Sequence, residues 1–301
     1  MADAPNVSVV RRLPEDRRDA VRVLAAAADE KDGTAPLSEQ FVLNVRAENP
    51  DVLHVLAEGP GGDLVGYAQL DRSGGGGGVG ELVVHPAHRG RGVGGALLGA
   101  LIERAEGTLR VWAHGEHPAS RRLAERYGFE RSRVLWQLRR SLAEPLAPAE
   151  FPADVRIRAF RPGRDETEFL RVNNAAFDWH PEQGDWDLEQ VRRREAEPWF
   201  DPEGFLLAVD ADDRLLGFHW TKVHPGSGSA AAIGEVYVLG VAPEARGRRL
   251  GSALTLAGLH HLRDQGLAEV LLYVEADNAP AVTVYTDLGF SLWHSDVMYR
   301  R

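Results

Sequence analysis

The segment Gly80–Leu101, GELVVHPAHRGRGVGGALLGAL, recurs in the chain as Glu235–Leu259, EVYVLGVAPEARGRRLGSALTLAGL. Each copy is a β-branched run that reaches a proline, then a basic glycine-containing turn, then an apolar stretch with helical spacing. A second pair follows downstream, Glu125-Arg-Tyr-Gly-Phe129 and Thr286-Asp-Leu-Gly-Phe290. Arg89 and Arg246 stand 157 residues apart and Phe129 and Phe290 stand 161 apart, so one unit is repeated in tandem with small insertions. The repeat argues against a single large core, and 301 residues suit two domains of about 150 residues each.

The flanking patterns extend the repeat. Each half opens with a short strand, Val7–Arg11 or Val155–Phe160, followed by helical spacing. Strand-like runs come next, at Val52–Glu58 and Leu64–Leu70 in the first half and at Phe205–Val209 and Leu215–Val223 in the second. The connector Ser141-Leu-Ala-Glu-Pro-Leu-Ala-Pro-Ala-Glu-Phe-Pro-Ala153 holds three prolines, which prevent a continuous helix and favour an extended link. The expected organisation is an N-terminal domain over 1–140, a linker over 141–153 and a C-terminal domain over 154–301. The glycine run Gly74–Gly78 reads as a flexible hairpin tip, because no helix pattern follows it directly as a phosphate loop requires.

The repeated turn has chemistry of its own. In the first half it is Arg89-Gly-Arg-Gly-Val-Gly94. The first turn of a helix carries N–H groups without intrahelical partners and the positive end of the helix dipole. Glycines let a phosphate approach that backbone closely, and arginines add charge-assisted hydrogen bonds. The result is an anion cradle suited to a pyrophosphate. A Walker loop would end in Gly-Lys-Ser/Thr, and a Rossmann fingerprint has Gly-x-Gly-x-x-Gly spacing; neither matches Arg-x-x-Gly-x-Gly in mid-domain.

Strand, Arg-x-x-Gly-x-Gly turn, helix, strand, then an Asn-x-x-Ala helix ending in Gly-Phe: this order resembles the GNAT family of acyl-CoA-dependent N-acetyltransferases, over both halves and so nearly the whole chain. The resemblance implies an α/β (α+β) fold of two tandem GNAT domains, each a central mixed, mostly antiparallel sheet with a splayed strand pair, flanked by helices. It implies acetyl-CoA as cosubstrate and leaves open whether each domain holds one. In the family, the strand before the turn splays from its neighbour and its backbone binds the pantetheine arm. Carried over, this implicates Leu82, Val83 and Val84, and Leu239, Gly240 and Val241 in the second half. The pyrophosphate would sit on Arg89, Gly90, Arg91, Gly92, Val93 and Gly94, and on Arg246, Gly247, Arg248, Arg249, Leu250, Gly251 and Ser252, with Asn278 a further cofactor contact. Arg249 stands where the family's first glycine belongs; an αR conformation with negative φ would accommodate its side chain.

Acetyl transfer to an amine needs a base for the ammonium proton and an acid for the leaving thiolate. In many family members a carboxylate on the splayed strand is the base, often through water, and a tyrosine on the later helix is the acid. The second half has both types in place, Glu235 at the start of the strand and Tyr285 in Asn278-Ala-Pro-Ala-Val-Thr-Val-Tyr285. The arginine turns align Gly78 with Glu235, and the Gly-Phe pairs align Ala124 with Tyr285; Glu81 aligns with Val238 and is not the counterpart. The expectation is a catalytic C-terminal domain and a catalytically idle N-terminal one.

Three further stretches narrow the acceptor: Asn173-Asn-Ala-Ala-Phe-Asp-Trp-His-Pro-Glu-Gln-Gly184, Phe218-His-Trp-Thr-Lys-Val-His224 and Gly234-Glu-Val-Tyr-Val-Leu-Gly-Val-Ala-Pro243. They resemble the mycothiol-forming branch of the superfamily, tandem enzymes that acetylate the cysteinyl amine of cysteinyl-glucosaminyl-inositol. That resemblance implies a small thiol-sugar amine as substrate, contacted by Glu39 (in Leu37-Ser-Glu-Gln40), Glu182, Lys222, Tyr273 and Glu235. Two other readings stay open at this point. One is an acetyltransferase for another small amine or a peptide N-terminus; the other is a non-catalytic acetyl-CoA sensor.

Composition sets the outer limits. With 45 acidic against 35 basic side chains the net charge is −10, which argues against general nucleic-acid binding. The absence of cysteine excludes disulfides, thiolate nucleophiles and Cys-ligated metal. Lys31 and Lys222 are the only lysines among the basic residues, a bias expected of a GC-rich genome. The start lacks an apolar signal core and no stretch approaches the roughly 20 apolar residues of a membrane span, so a cytoplasmic monomer without membrane partners is expected. His180, His219 and His224 match no standard zinc spacing, and no metal is expected.

Overall fold

The computed structural model of the chain describes residues 6–74, 76–178, 183–226 and 231–301. It resolves two compact units, Met1–Leu135 with His294–Arg301, and Trp136–Trp293.

The first unit contains β1 (Asn6–Val10), α1 (Glu15–Asp32), α2 (Glu39–Arg46), β2 (Val52–Glu58), β3 (Leu64–Asp71), β4 (Gly77–Val84), α3 (Val93–Arg104), β5 (Thr108–Ala113) and α4 (Pro118–Arg126). It also holds the first part of β6 (Glu130–Ser141) and the end of β12 (Ser291–Arg300). Its sheet runs β1-β2-β3-β4-β5-β12. All neighbours are antiparallel except β4 and β5, which are parallel. Leu53, Val55, Leu97, Leu101, Val111 and Val297 build the core on the α3 side. Val21, Leu24, Phe41, Tyr67 and Val83 build the one beneath α1 and α2.

The second unit contains β7 (Arg156–Ala159), α5 (Glu166–Ala176), α6 (Leu188–Glu195), β8 (Phe205–Val209), β9 (Leu215–His224), β10 (Ile233–Val241), α7 (Leu250–Asp264), β11 (Glu269–Glu275) and α8 (Ala279–Asp287). Its sheet runs β6-β11-β10-β9-β8-β7, with β10 and β11 parallel and the other pairs from β7 to β10 antiparallel. Aromatic side chains fill its main core: Phe205 stacks on Phe160 at 4.3 Å and on Trp220 at 4.4 Å, and Phe169 meets Phe218 edge-on at 4.8 Å. Asp187 and Gln190 close a reciprocal capping box that fixes the start of α6.

The repeat boundary and the packing boundary differ by part of a strand on each side. Leu138 and Leu142 pack with Val236, Leu259, Val270 and Phe290 in the second unit. The last strand packs its buried Val297 and Tyr299 with Leu109 and Val111 in the first. Residues 142–155, which include the proline-rich stretch, form neither helix nor strand. The glycine run is also divided: β4 already begins at Gly77, Gly75 lies outside the described residues, and an added Cβ at Gly77 would stand 1.9 Å from the Thr108 carbonyl oxygen. Two of the five glycines therefore serve close strand packing.

An ion triplet fastens the last strand into the first unit. His114, just after β5, places Nδ1 2.9 Å from Asp296 Oδ2 on β12 and Nε2 3.2 Å from Glu81 Oε1 on β4. Asp296 Oδ1 also accepts the Gly115 N–H at 2.8 Å, and Glu81 Oε2 accepts the Ser38 N–H at 2.8 Å. Burial opposes the charging of His114, but the two carboxylates outweigh it and hold its pKa up at about 10.

Candidate active site

Both units open their sheets at the same place. In the first, β4 pairs with β5 from Gly77 to Gly80, and from Glu81 to Val84 only with β3. In the second, β10 pairs with β11 from Gly234 to Val236, and from Val238 to Val241 only with β9. Beyond these points each strand has one edge without a ladder. The Ala242 N–H donates to Leu216 O and the His85 N–H to Val65 O, which sets the alternation. Leu239 and Val241, like Leu82 and Val84, turn their main-chain groups to the open side; Gly240 and Val83 turn theirs to the neighbouring strand.

The turn that follows leads into an uncapped helix in each unit. Neither Gly92 before α3 nor Arg249 before α7 supplies a side-chain cap, so the N–H groups of Val93 and Gly94, and of Leu250, Gly251 and Ser252, have no intrahelical partner. Space for an anion exists, because a Cβ added at Gly90, Gly92, Gly247 or Gly251 would meet nothing within 4 Å. These features fit a pyrophosphate in either turn. Arg89 is engaged with its own unit: it forms a bidentate pair with Asp32 at 2.7 and 2.6 Å and donates Nε–H to Val84 O at 3.1 Å. The guanidinium holds the Asp32 carboxyl below its usual range. Its counterpart Arg246 makes no ion pair among the described residues, while Arg248 pairs with Asp154 at 2.7 Å.

The expectation of negative φ at Arg249 is corrected. Arg249 adopts φ 60° and ψ 18°, the left-handed conformation that Gly92 also has at φ 87°. The turn demands positive φ whatever residue occupies it, and a side chain pays about 1–2 kcal/mol for that geometry. Arg249→Gly is accordingly expected to stabilise the second unit by up to about 1 kcal/mol. It is also expected to weaken acetyl-CoA binding by removing an exposed guanidinium from the turn. Thermal unfolding and acetyl-CoA titration check the two effects; a less stable variant with unchanged affinity would contradict both.

The candidate chemistry lies where β10 begins to leave β11. Glu235 is 7% exposed and stands opposite Lys222 in the β9–β10 register. Its Oε2 lies 2.6 Å from His224 Nε2. A bulge between Val236 and Val238 leaves Tyr237 as the extra residue on β10. The Lys222 ammonium sits over the Trp199 ring at 4.4 Å and the Tyr237 ring at 5.0 Å, a cation–π cage for a nearly buried lysine. Arg194 donates Nε–H to the Tyr237 hydroxyl at 2.8 Å and stacks over Trp186 at 4.3 Å, steadying that wall.

Tyr285, on α8, packs edge-on against Phe290 at 5.8 Å, and burial pushes its hydroxyl up to about 12, so it stays protonated through the physiological range. Asn278 caps α8 by accepting the Ala281 N–H at 3.3 Å. Tyr273, on β11 and 43% exposed, accepts a hydrogen bond from Gln137 at 2.7 Å. Glu39 is the first residue of α2 in the first unit, and Glu182 lies outside the described residues. In the first unit, Gly78 is close-packed, with Leu70 Cδ1 2.6 Å from any added Cβ, and Ala124 is buried.

The cage of Trp199 and Tyr237 and the contact of His224 with Glu235 are absent from the sequence expectations, where spacing presents His224 only as a possible metal ligand. The hairpin register, which sets position 222 opposite 235, was the available signal. Of the other two histidines, His219 is fully buried, with Nδ1 2.8 Å from Leu254 O and its pKa pushed down to about 4 by burial, and His180 lies outside the described residues. Among the described residues no three His, Asp or Glu side chains form a metal-holding group, and no helix is long and apolar enough to cross a membrane.

A profile of the acetyltransferase (GNAT) family matches residues 19–129 and again 171–290. The chain belongs to the GNAT family, as a tandem acetyltransferase that uses acetyl-CoA as cosubstrate. It resembles a tandem GNAT protein from the clavulanic acid biosynthesis pathway, with TM-score 0.74 at 21% identity over 98% of both chains. It also resembles a GCN5-related N-acetyltransferase from Sphaerobacter thermophilus, with TM-score 0.73 at 25% identity over 98% of this chain and 95% of the other. Within the family, its sequence groups with the mycothiol acetyltransferases. That of Thermobispora bispora is 52% identical over 97% of this chain and 98% of its own length, and that of Thermomonospora curvata is 53% identical over 96% and 95%.

Proposed function

We propose that the second unit transfers the acetyl group of acetyl-CoA directly to the cysteinyl amine of cysteinyl-glucosaminyl-inositol, the last step in forming mycothiol. The observation that carries the assignment to this unit is Glu235, a buried carboxylate at the mouth of the splay, set against Gly78 in the first unit, which has no side chain to act as a base and where an added Cβ would crowd Leu70. Relatives named mycothiol acetyltransferase, about half identical along nearly the whole chain, support the choice of acceptor.

In this reading Glu235, through water, takes the proton of the cysteinyl ammonium, and the freed amine attacks the thioester carbonyl. The open-edge N–H groups of Leu239 and Val241 stabilise the oxyanion that develops there. The tetrahedral intermediate collapses, the C–S bond breaks, Tyr285 donates its proton to the departing thiolate, and the second proton lost by the attacking nitrogen restores the tyrosine hydroxyl. Lys222, held by its aromatic cage, Tyr273 and Glu182 bind the hydroxyls and ammonium of the acceptor. The pyrophosphate rests on Arg246–Ser252 and the N-terminus of α7. The first unit keeps a splayed strand and a glycine turn able to hold a second acetyl-CoA, but it lacks the base and the acid and is catalytically idle.

The test is CoA release by the purified protein with acetyl-CoA and a panel of amines, followed chromatographically because the acceptor itself carries a thiol. Turnover with the cysteinyl amine well above that with aminoglycosides and peptide N-termini is expected. Preference for another amine would overturn the acceptor assignment, and no turnover with any amine alongside tight acetyl-CoA binding would favour a sensor.

A further inference from the structure

We propose that His224 is the proton exit of the Glu235 base, a positioning and relay residue for the acetyl transfer; the inference rests on the reading of Glu235 given above. Amide formation from an ammonium and a thioester yields amide, thiol and one proton. That proton is left on Glu235 when the amine is freed, and the carboxylate must lose it before the next turnover. The Glu235 side chain is only 9% exposed, whereas that of His224 is 40% exposed. The two touch at 2.6 Å through Oε2 and Nε2. Imidazole is the side chain whose ordinary pKa lets it both take up and release a proton near neutrality.

The hairpin fixes this contact. Lys222 stands opposite Glu235 in the β9–β10 register and His224 opposite Ile233, so Lys222, His224 and Glu235 share one face, with His224 on the diagonal toward the hairpin end. The charged neighbour facing Glu235 directly is Lys222, whose ammonium is held over Trp199 and Tyr237. Along the short contact, a protonated Glu235 donates O–H to Nε2, and an ionised Glu235 accepts N–H from it. Moving one proton across this hydrogen bond interconverts the two states. The resulting imidazolium gives one proton to solvent, and the charge balance of the site is restored. In the first unit, which has Gly78 in place of the base, no such pair exists at the equivalent position.

A purely orienting histidine and a relay make different predictions. His224→Gln keeps an N–H donor for the carboxylate but cannot carry a proton, and His224→Ala leaves room for a small exogenous base. The relay predicts that both variants lose about 10²-fold in kcat, within the range that acid–base groups contribute, with the KM for acetyl-CoA unchanged. It further predicts that added imidazole restores His224→Ala toward the wild-type rate and leaves Glu235→Gln inactive. Wild-type kcat in His224→Gln, or a slow His224→Ala that imidazole does not accelerate, overturns the relay. The base assignment fails separately: a Glu235→Gln enzyme with undiminished kcat removes Glu235 itself, whereas an inactive Glu235→Gln beside a fully active His224→Gln removes only the relay.

Discussion

Replacing Glu235 with alanine lowers kcat for acetyl transfer by about 10²–10⁴-fold, the range measured for positioned acid–base groups. Acetyl-CoA affinity is expected to hold, because the turn at Arg246–Ser252 and the open edge of β10 past Val238 are left intact. The alanine variant opens a small cavity beside Lys222 and His224, so Glu235→Gln is the cleaner companion: it preserves volume and the hydrogen bond to His224 but cannot accept a proton. Both variants should show the rate loss in steady-state CoA release, with equilibrium acetyl-CoA binding near wild type. The rate should also recover as the amine's own pKa is lowered, since an acceptor already neutral at the assay pH needs no base. A wild-type rate in Glu235→Gln would remove this carboxylate from the mechanism.

The largest expected effect on stability lies in the first unit, at the ion triplet of Glu81, His114 and Asp296. Removing the central cation leaves two carboxylates facing each other in a buried site, and breaking such a group typically costs about 3–5 kcal/mol. His114→Ala should therefore lower the chemical-denaturation midpoint of the first unit sharply. The pH dependence follows from the raised pKa of about 10. A histidine whose folded pKa exceeds its unfolded value stabilises fully below the unfolded value near 6.5, and loses that contribution as pH rises through the folded one. The wild type should weaken between about pH 7 and pH 10 by this linkage, and His114→Gln should lack that decline. Equal pH profiles for the two proteins would mean that His114 is neutral in the folded state.

The repeat, the strand–turn–helix order and the identity of Glu235 as a strand carboxylate were legible in the sequence because each is local: a run of residues whose pattern declares its own conformation. The strand exchange was not. β6 and β12 carry ordinary strand patterns, and nothing in an alternating apolar run states which of two similar cores it enters. The contact between His114 and Asp296, residues of opposite halves, was hidden for the same reason. Arg249 shows a different limit, since an arginine gives no sign that its turn requires positive φ; the glycine at the aligned position of the first copy was the clue. The cage around Lys222 was hidden because Trp199 comes from the connection ahead of β8 and Tyr237 is set by a bulge, neither of which spacing along one strand predicts.

Of two similar units, only the second is proposed to carry the chemistry. The initial rate of CoA release with the cysteinyl amine, measured for Arg246→Gln/Arg248→Gln and for Arg89→Gln/Arg91→Gln at limiting acetyl-CoA, tests that placement most directly. The predicted result is a kcat/KM for acetyl-CoA that falls at least about tenfold in the first pair, which loses two charge-assisted contacts to the pyrophosphate, and stays near wild type in the second. Loss of turnover in the Arg89→Gln/Arg91→Gln protein while it remains folded, with turnover retained in the other, would contradict it.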